Sequence, residues 1–103
     1  IFSKQGKHDE AIRNYHLALR LDAHHVRARY YLAVALVGQG NFAAAAKEFR
    51  EALRLEPDLG EAHAGLARAL SAQGDKEEAL RHYQEAVRLL KSQSHSQNEA
   101  FSK

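Results

Sequence analysis

Residues Gly40–Pro57, GNFAAAAKEFREALRLEP, decide the fold, because the chain writes the same unit three times. Displacing the sequence against itself by 34 positions superimposes Gly6, Gly40 and Gly74, then Ala11, Ala45 and Ala79, then Ala18, Ala52 and Ala86, and finally Leu21, Leu55 and Leu89. An aromatic residue recurs in that register at Tyr15, Phe49 and Tyr83. Between Val26–Pro57 and Gly60–Lys91, twelve of thirty-two aligned pairs are identical, Ala28/Ala62, Leu32/Leu66, Ala35/Ala69 and Leu36/Leu70 among them, which sets a stacked repeat above any other single-domain reading. A period of this length marks supersecondary units that cannot bury their apolar faces alone and stack to do so.

Each unit divides into two amphipathic helices. His8–Leu21 carries Ala11, Ile12, Tyr15, Ala18 and Leu19 at the i, i+3, i+4, i+7 spacing of one helix face. His25–Gly38 follows with a Leu32, Ala35, Leu36 stripe, and Phe42–Leu55 is its partner, with Pro57 just past the end, where a helix cannot continue. A fourth helix is predicted over Leu59–Ala72, capped by the Asp58 carboxylate. The last runs over Lys76–Lys91. Residues 1–7 fall in the register of Ala35–Asn41, so they read as the last turn of a preceding helix, ended by Gly6. The segment 92–103 is polar and reads as a helix extension or tail. Connectors this short force consecutive helices to be antiparallel. Ala33, Ala45, Ala52, Ala67, Ala79 and Ala86 recur where two helices must approach closely, with Phe49 and Tyr83 filling the space opposite. Gly40 and Gly74, at helix ends, are expected at positive φ.

Composition narrows the chemistry. The chain has 103 residues and a net charge of +2, from 15 Lys and Arg against 13 Asp and Glu, too small an excess to call for nucleic acid. It has no cysteine, hence neither disulfides nor thiolate metal sites, a composition that fits any compartment. No apolar run is long enough to span a membrane. The seven histidines lack metal-ligand spacing. His24 and His25 diverge, His63 falls at a packing position and His82 on a helix surface. No Gly-rich phosphate loop or Ser/His/Asp arrangement suggests catalysis or a cofactor. Basic pairs at Arg13/Arg20, Lys47/Arg54 and Arg81/Arg88 would stack into an outward ladder. Asp9–Arg13, Glu77–Arg81, Glu51–Arg54 and Glu85–Arg88 are spaced to neutralise it locally, which favours a solvated face over a polyanion-binding one.

Leu32, Gly40, Ala45, Phe49, Ala52 and Pro57, repeated as Leu66, Gly74, Ala79, Tyr83 and Ala86, and in part as Gly6, Ala11, Tyr15 and Ala18, resemble the tetratricopeptide repeat. The resemblance covers residues 1–91: a partial repeat over 1–25 and full repeats over 26–59 and 60–91. It implies an all-α, right-handed α-solenoid of antiparallel helix pairs. The departures are Arg29 and His63 where the family often has Trp, Ala33 and Ala67 where it often has Gly, and Ala23 and Lys91 where it often has Pro. The resemblance also implies a non-catalytic scaffold that binds a protein or peptide on the concave surface lined by the first helix of each repeat. Carried onto this chain, that lining is Arg27, Tyr30, Tyr31, Val34 and Val37, then Glu61, Ala64, Gly65, Arg68 and Ser71. A carboxylate clamp of the kind some members carry is not expected, since Tyr31 stands where it would need Asn and only Arg68 fits.

Tyr30, Tyr31, Val34 and Val37 lie off the Leu32/Ala35/Leu36 stripe, and apolar residues on the non-core side of a helix suggest a contact surface. A second expectation concerns the ends. The partial first repeat predicts a C-terminal piece of a longer array, with Ile12 or Tyr15 exposed and sticky and a polar far end carrying Arg81, His82, Glu85, Arg88 and Lys91. Self-association through the N-terminal end is the alternative function, and weak polyanion binding by the ladder a further one.

Overall fold

A computed structural model describes the backbone of residues 2–101 and the side-chain surroundings of residues 7–92. It contains helices α1 (Phe2–Leu21), α2 (Val26–Gly38), α3 (Phe42–Leu55), α4 (Gly60–Ala72) and α5 (Lys76–Phe101), with no strand among the described residues. Each helix packs on the next, and α2 also touches α4, the contact pattern of an all-α solenoid.

The turns follow from the glycines. Gly40 has φ 80° and Gly74 φ 88°, a left-handed conformation that lets the following residue bond back to the helix. The Asn41 N–H donates to the Leu36 carbonyl at 2.9 Å, and the Asp75 N–H to the Leu70 carbonyl at 2.9 Å. Gly6 behaves differently: α1 runs through it without a break. Lys7 follows Gly6 where Asn41 and Asp75, residues that favour turns, follow the other two. A continuous helix instead satisfies the amides that a turn would leave open. At the start of α2 the His25 Nδ1 accepts from the Ala28 N–H at 3.0 Å. The Asp58 cap does not form: α4 starts one residue later, with Leu59 at the cap position and no side-chain cap bond. Leu59 packs against the core, which leaves Asp58 exposed in the connector.

The alanines carry the packing as expected. Ala33, Ala45, Ala52, Ala62, Ala67 and Ala69 are fully buried, around Phe49, Leu32 and Leu66. Tyr83 departs from the pattern. It shares the register of Phe49 yet is 42% exposed, because α4 covers Phe49 and no described helix lies in the corresponding place beside α5. The ends depart from the expectation in part: α1 does leave Leu17 and Leu21 exposed, but not the two residues named for it. Ile12 and Tyr15 are half-buried, since α1 lies along α2 and the Tyr15 ring stacks on Tyr31 at 6.0 Å. On α5, Leu80, Tyr83, Val87 and Leu90 are exposed, the charged residues Arg81 and Arg88 occupy a different strip of the helix, and Lys91 stands at the edge of the apolar one.

Where the family often has Trp, each repeat builds a polar clasp between its two helices. Arg29 donates to Glu48 on α3 at 2.8 Å and to the Ala23 carbonyl at 2.9 Å. One period later, His63 meets His82 of α5, Nδ1 to Nδ1, at 3.0 Å and the Pro57 carbonyl at 2.9 Å. His63 and His82 are therefore a stacked pair, with ring centroids 5.3 Å apart, rather than two separate surface or packing residues. The Pro57 carbonyl can only accept, so His63 Nε2 carries its proton, and in the neutral pair His82 Nδ1 must donate to His63 Nδ1. Burial, and then His63, depress the His82 pKa, while Glu78 opposes the shift.

Candidate functional site: the concave groove

The first helices of the two full repeats stand side by side, and one face of each lines a common hollow. Tyr30, Val34 and Val37 come from α2 at i, i+4, i+7 spacing. Glu61, Ala64, Gly65 and Arg68 come from α4 at i, i+3, i+4, i+7. Helical geometry puts each set on one face. The hollow is about 730 Å³, within the range of ligand sites in proteins. Its floor is the buried Phe49 ring, which packs directly under Gly65 because that residue has no side chain: a Cβ there would lie 2.5 Å from Phe49 Cε1 and nearer still to Cζ.

Tyr31 and Val34 are 41% and 44% exposed, unusual for apolar side chains this close to a packed core. Tyr30 joins Tyr31 and Phe49 edge-on, with centroids 5.3 Å and 5.8 Å away. With the Tyr15–Tyr31 stack this makes an aromatic row from α1 to α3. Burial, then the Glu61 carboxylate, raises the Tyr30 pKa, so the phenol stays protonated and able to donate. A smaller adjoining hollow is lined by Arg27, Tyr30, Tyr31, Glu56, Leu59 and Glu61.

The structure thus brings together most of the sequence-derived lining. Tyr30, Val34, Val37, Glu61, Ala64, Gly65 and Arg68 share the main hollow, Arg27 and Tyr31 stand at the adjoining one, and Ser71 lies in neither. Two residues of the main hollow escaped the sequence reading, His8 of α1 and Leu90 of α5. Both belong to the second helices of their repeats, outside the register that marks the concave lining. No sequence pattern signals that His8 rests against Gly38.

The opposite surface is charged and internally paired. Arg13, Arg20, Lys47, Arg54, Arg81 and Arg88 are exposed. Arg54 pairs with Glu51 and Arg88 with Glu85, and Arg50 reaches across to Glu78 at 2.7 Å. The expected Asp9–Arg13 and Glu77–Arg81 pairs do not form; Asp9 accepts from Gln39 at 2.5 Å instead. Among the described residues no group of three or more His, Cys, Asp or Glu could hold a metal ion, and no helix is long and apolar enough to cross a membrane.

A family model of the tetratricopeptide repeat matches residues 1–58 and 35–94. Among solved structures, one titled MamA AMB-1 is 32% identical, with TM-score 0.76, and the match covers 81% of this chain and 49% of that one. A second, titled MamA MSR-1, is 31% identical with TM-score 0.78, over 84% of this chain and 50% of that one. A third MamA crystal structure, at 18% identity, has TM-score 0.79 over 86% and 52% of the two chains and attests the fold alone. The chain spans about half the length of these structures. No curated protein matches it. With the repeat register, the turn glycines at positive φ and the paired antiparallel helices, these matches place the chain in the tetratricopeptide repeat family, a family of protein-interaction scaffolds.

Proposed function

We propose that this chain is a non-catalytic scaffold that holds an extended peptide segment of a partner protein in the groove between α2 and α4. The observation that carries this reading is the alignment of two equivalent helix faces into one hollow with exposed apolar side chains at its centre and opposite charges along its α4 wall. Glu61 and Arg68 are seven residues apart, so about 10 Å at the helical rise. An extended chain covers that distance in about three residues. The favoured ligand therefore has an apolar or aromatic side chain for the Val34, Val37 and Ala64 surface, a basic group toward Glu61 and an acidic group toward Arg68. Tyr30, and Tyr31 with Arg27 in the adjoining hollow, extend the contact beyond the α4 wall.

Selection of linear peptides from a random library tests this. Peptides that bind should follow the basic–apolar–acidic order. Val34→Glu and Arg68→Glu should weaken the selected peptides at least tenfold, while Arg54→Glu on the convex face should leave them unchanged. Binders equally tolerant of both groove substitutions would sink the proposal.

A further inference from the structure

The exposed apolar stripe of α5 is an interaction surface that the groove touches only at Leu90. Leu80, Tyr83, Val87 and Leu90 are 57%, 42%, 61% and 37% exposed. Their spacing of three, four and three keeps them on one side of the helix, as in a coiled-coil seam. In the repeat register they correspond to Ala46, Phe49 and Leu53 of α3, which lie in or against the core, and to the exposed Glu56 just past its end. α5 thus carries leucine where α3 has the buried Ala46 and where the exposed cap residue Glu56 follows that helix. Nothing described covers it, yet its face is the more apolar of the two, the opposite of what a solvated helix requires.

We infer that this stripe pairs with the same stripe of a second copy of the chain, with the two α5 helices antiparallel about a two-fold axis near Glu85. The spacing is symmetric, so antiparallel pairing sets Leu80 opposite Leu90 and Tyr83 opposite Val87, and each contact occurs twice, as an isologous interface demands. The flanking charges fit the same arrangement. Glu77, Gln84 and Lys91 line one edge of the stripe, one heptad apart, and all three are exposed. In the antiparallel pair that edge faces its own copy, bringing Glu77 near Lys91 of the other copy at both ends and Gln84 near its own counterpart at the centre. Edge charges of this kind set orientation and partner choice in helix pairs. A parallel pair would instead set that edge against the opposite edge of the other copy, where the buried Ala79 and Ala86 lie, and would leave Glu77 and Lys91 without each other.

The test is sedimentation equilibrium of the 103-residue chain from micromolar to submillimolar concentration. A monomer–dimer equilibrium is expected, with no larger species. Val87→Glu, which touches neither the groove nor the core, should leave a folded monomer by circular dichroism. Glu77→Lys and Lys91→Glu should each weaken the dimer by roughly fivefold, since each breaks both symmetry-related pairs, and the double reversal should restore it. Arg68→Glu in the groove should leave dimerisation unchanged, which separates this surface from peptide binding. A monomer throughout the range, open-ended growth, or a dimer indifferent to Val87→Glu would overturn the inference, and failure of the double reversal to restore the dimer would overturn the antiparallel pairing.

Discussion

Gly65 is the residue on which packing and groove both turn, and Gly65→Ala sets two effects of opposite sign against each other. Alanine is the better helix former, by about 1 kcal/mol in a helix interior. The added methyl would lie 2.5 Å from Phe49 Cε1 and 2.9 Å from Cε2, where carbon atoms rest at about 3.5–4.0 Å. Phe49 is 1% exposed, so its ring cannot swing out to water and must press on the neighbouring core. Overpacking of this kind costs about 1–3 kcal/mol. The clash therefore outweighs propensity in most of that range, and the expected net is a loss of up to about 2 kcal/mol. At about 4–8 °C per kcal/mol for a domain of this size, Tm should fall by several degrees. Urea and thermal unfolding followed by circular dichroism measure it. Phe49→Leu should cost stability alone but less in the Gly65→Ala background, a favourable coupling that a double-mutant cycle reads directly. A rise in Tm for Gly65→Ala, as propensity alone requires, with no coupling to position 49, would refute the packing argument.

Three further outcomes follow. Ala45→Leu, at a fully buried position, should destabilise by about 1–3 kcal/mol through overpacking, and an unchanged denaturation midpoint would contradict the close helix approach. Gly40→Ala meets no atom within 4 Å but keeps φ at 80°, so it should cost about 1 kcal/mol from backbone strain alone; a larger loss would indicate a steric conflict the structure does not contain. His82, whose pKa is lowered chiefly by burial and then by His63, faces Glu78 and Glu85 on its own helix and Arg50 on α3. The unfolded chain takes up that proton more readily than the folded one. Stability contributed by the pair is thus present above the ordinary histidine pKa of about 6.5 and lost as pH falls through the lower folded value. Tm should drop across that window, and His82→Gln should flatten the drop; an equally steep profile in the variant would contradict the assignment.

The sequence disclosed what repetition can disclose. Ala33, Ala45, Ala52 and Phe49 could be assigned to the core because the same small and aromatic types return at the same register, and the concave lining followed from that register. Repetition is blind where copies have different neighbours. Tyr83 copies Phe49 in sequence but lacks a covering helix, so the same residue type is buried once and exposed once. Gly6 copies Gly40 and Gly74 but precedes a lysine, and the helix continues through it. The His63–His82 contact was hidden for another reason. Its equivalents, Arg29 and Glu48, form an obvious ion pair only when read across two helices, and two histidines nineteen residues apart announce no attraction until the fold juxtaposes them.

The central claim, that the α2–α4 groove holds an extended peptide, is tested most directly by amide and side-chain chemical-shift mapping of the chain with a peptide of basic–apolar–acidic order. The account predicts saturable shifts concentrated at Tyr30, Val34, Ala64 and Arg68, loss of those shifts with Val34→Glu, and intermolecular contacts from the peptide's apolar side chain to the Val34 methyls. Shifts centred instead on Arg54 and Arg88 of the convex face, or on Leu80 and Val87 of α5, would contradict it.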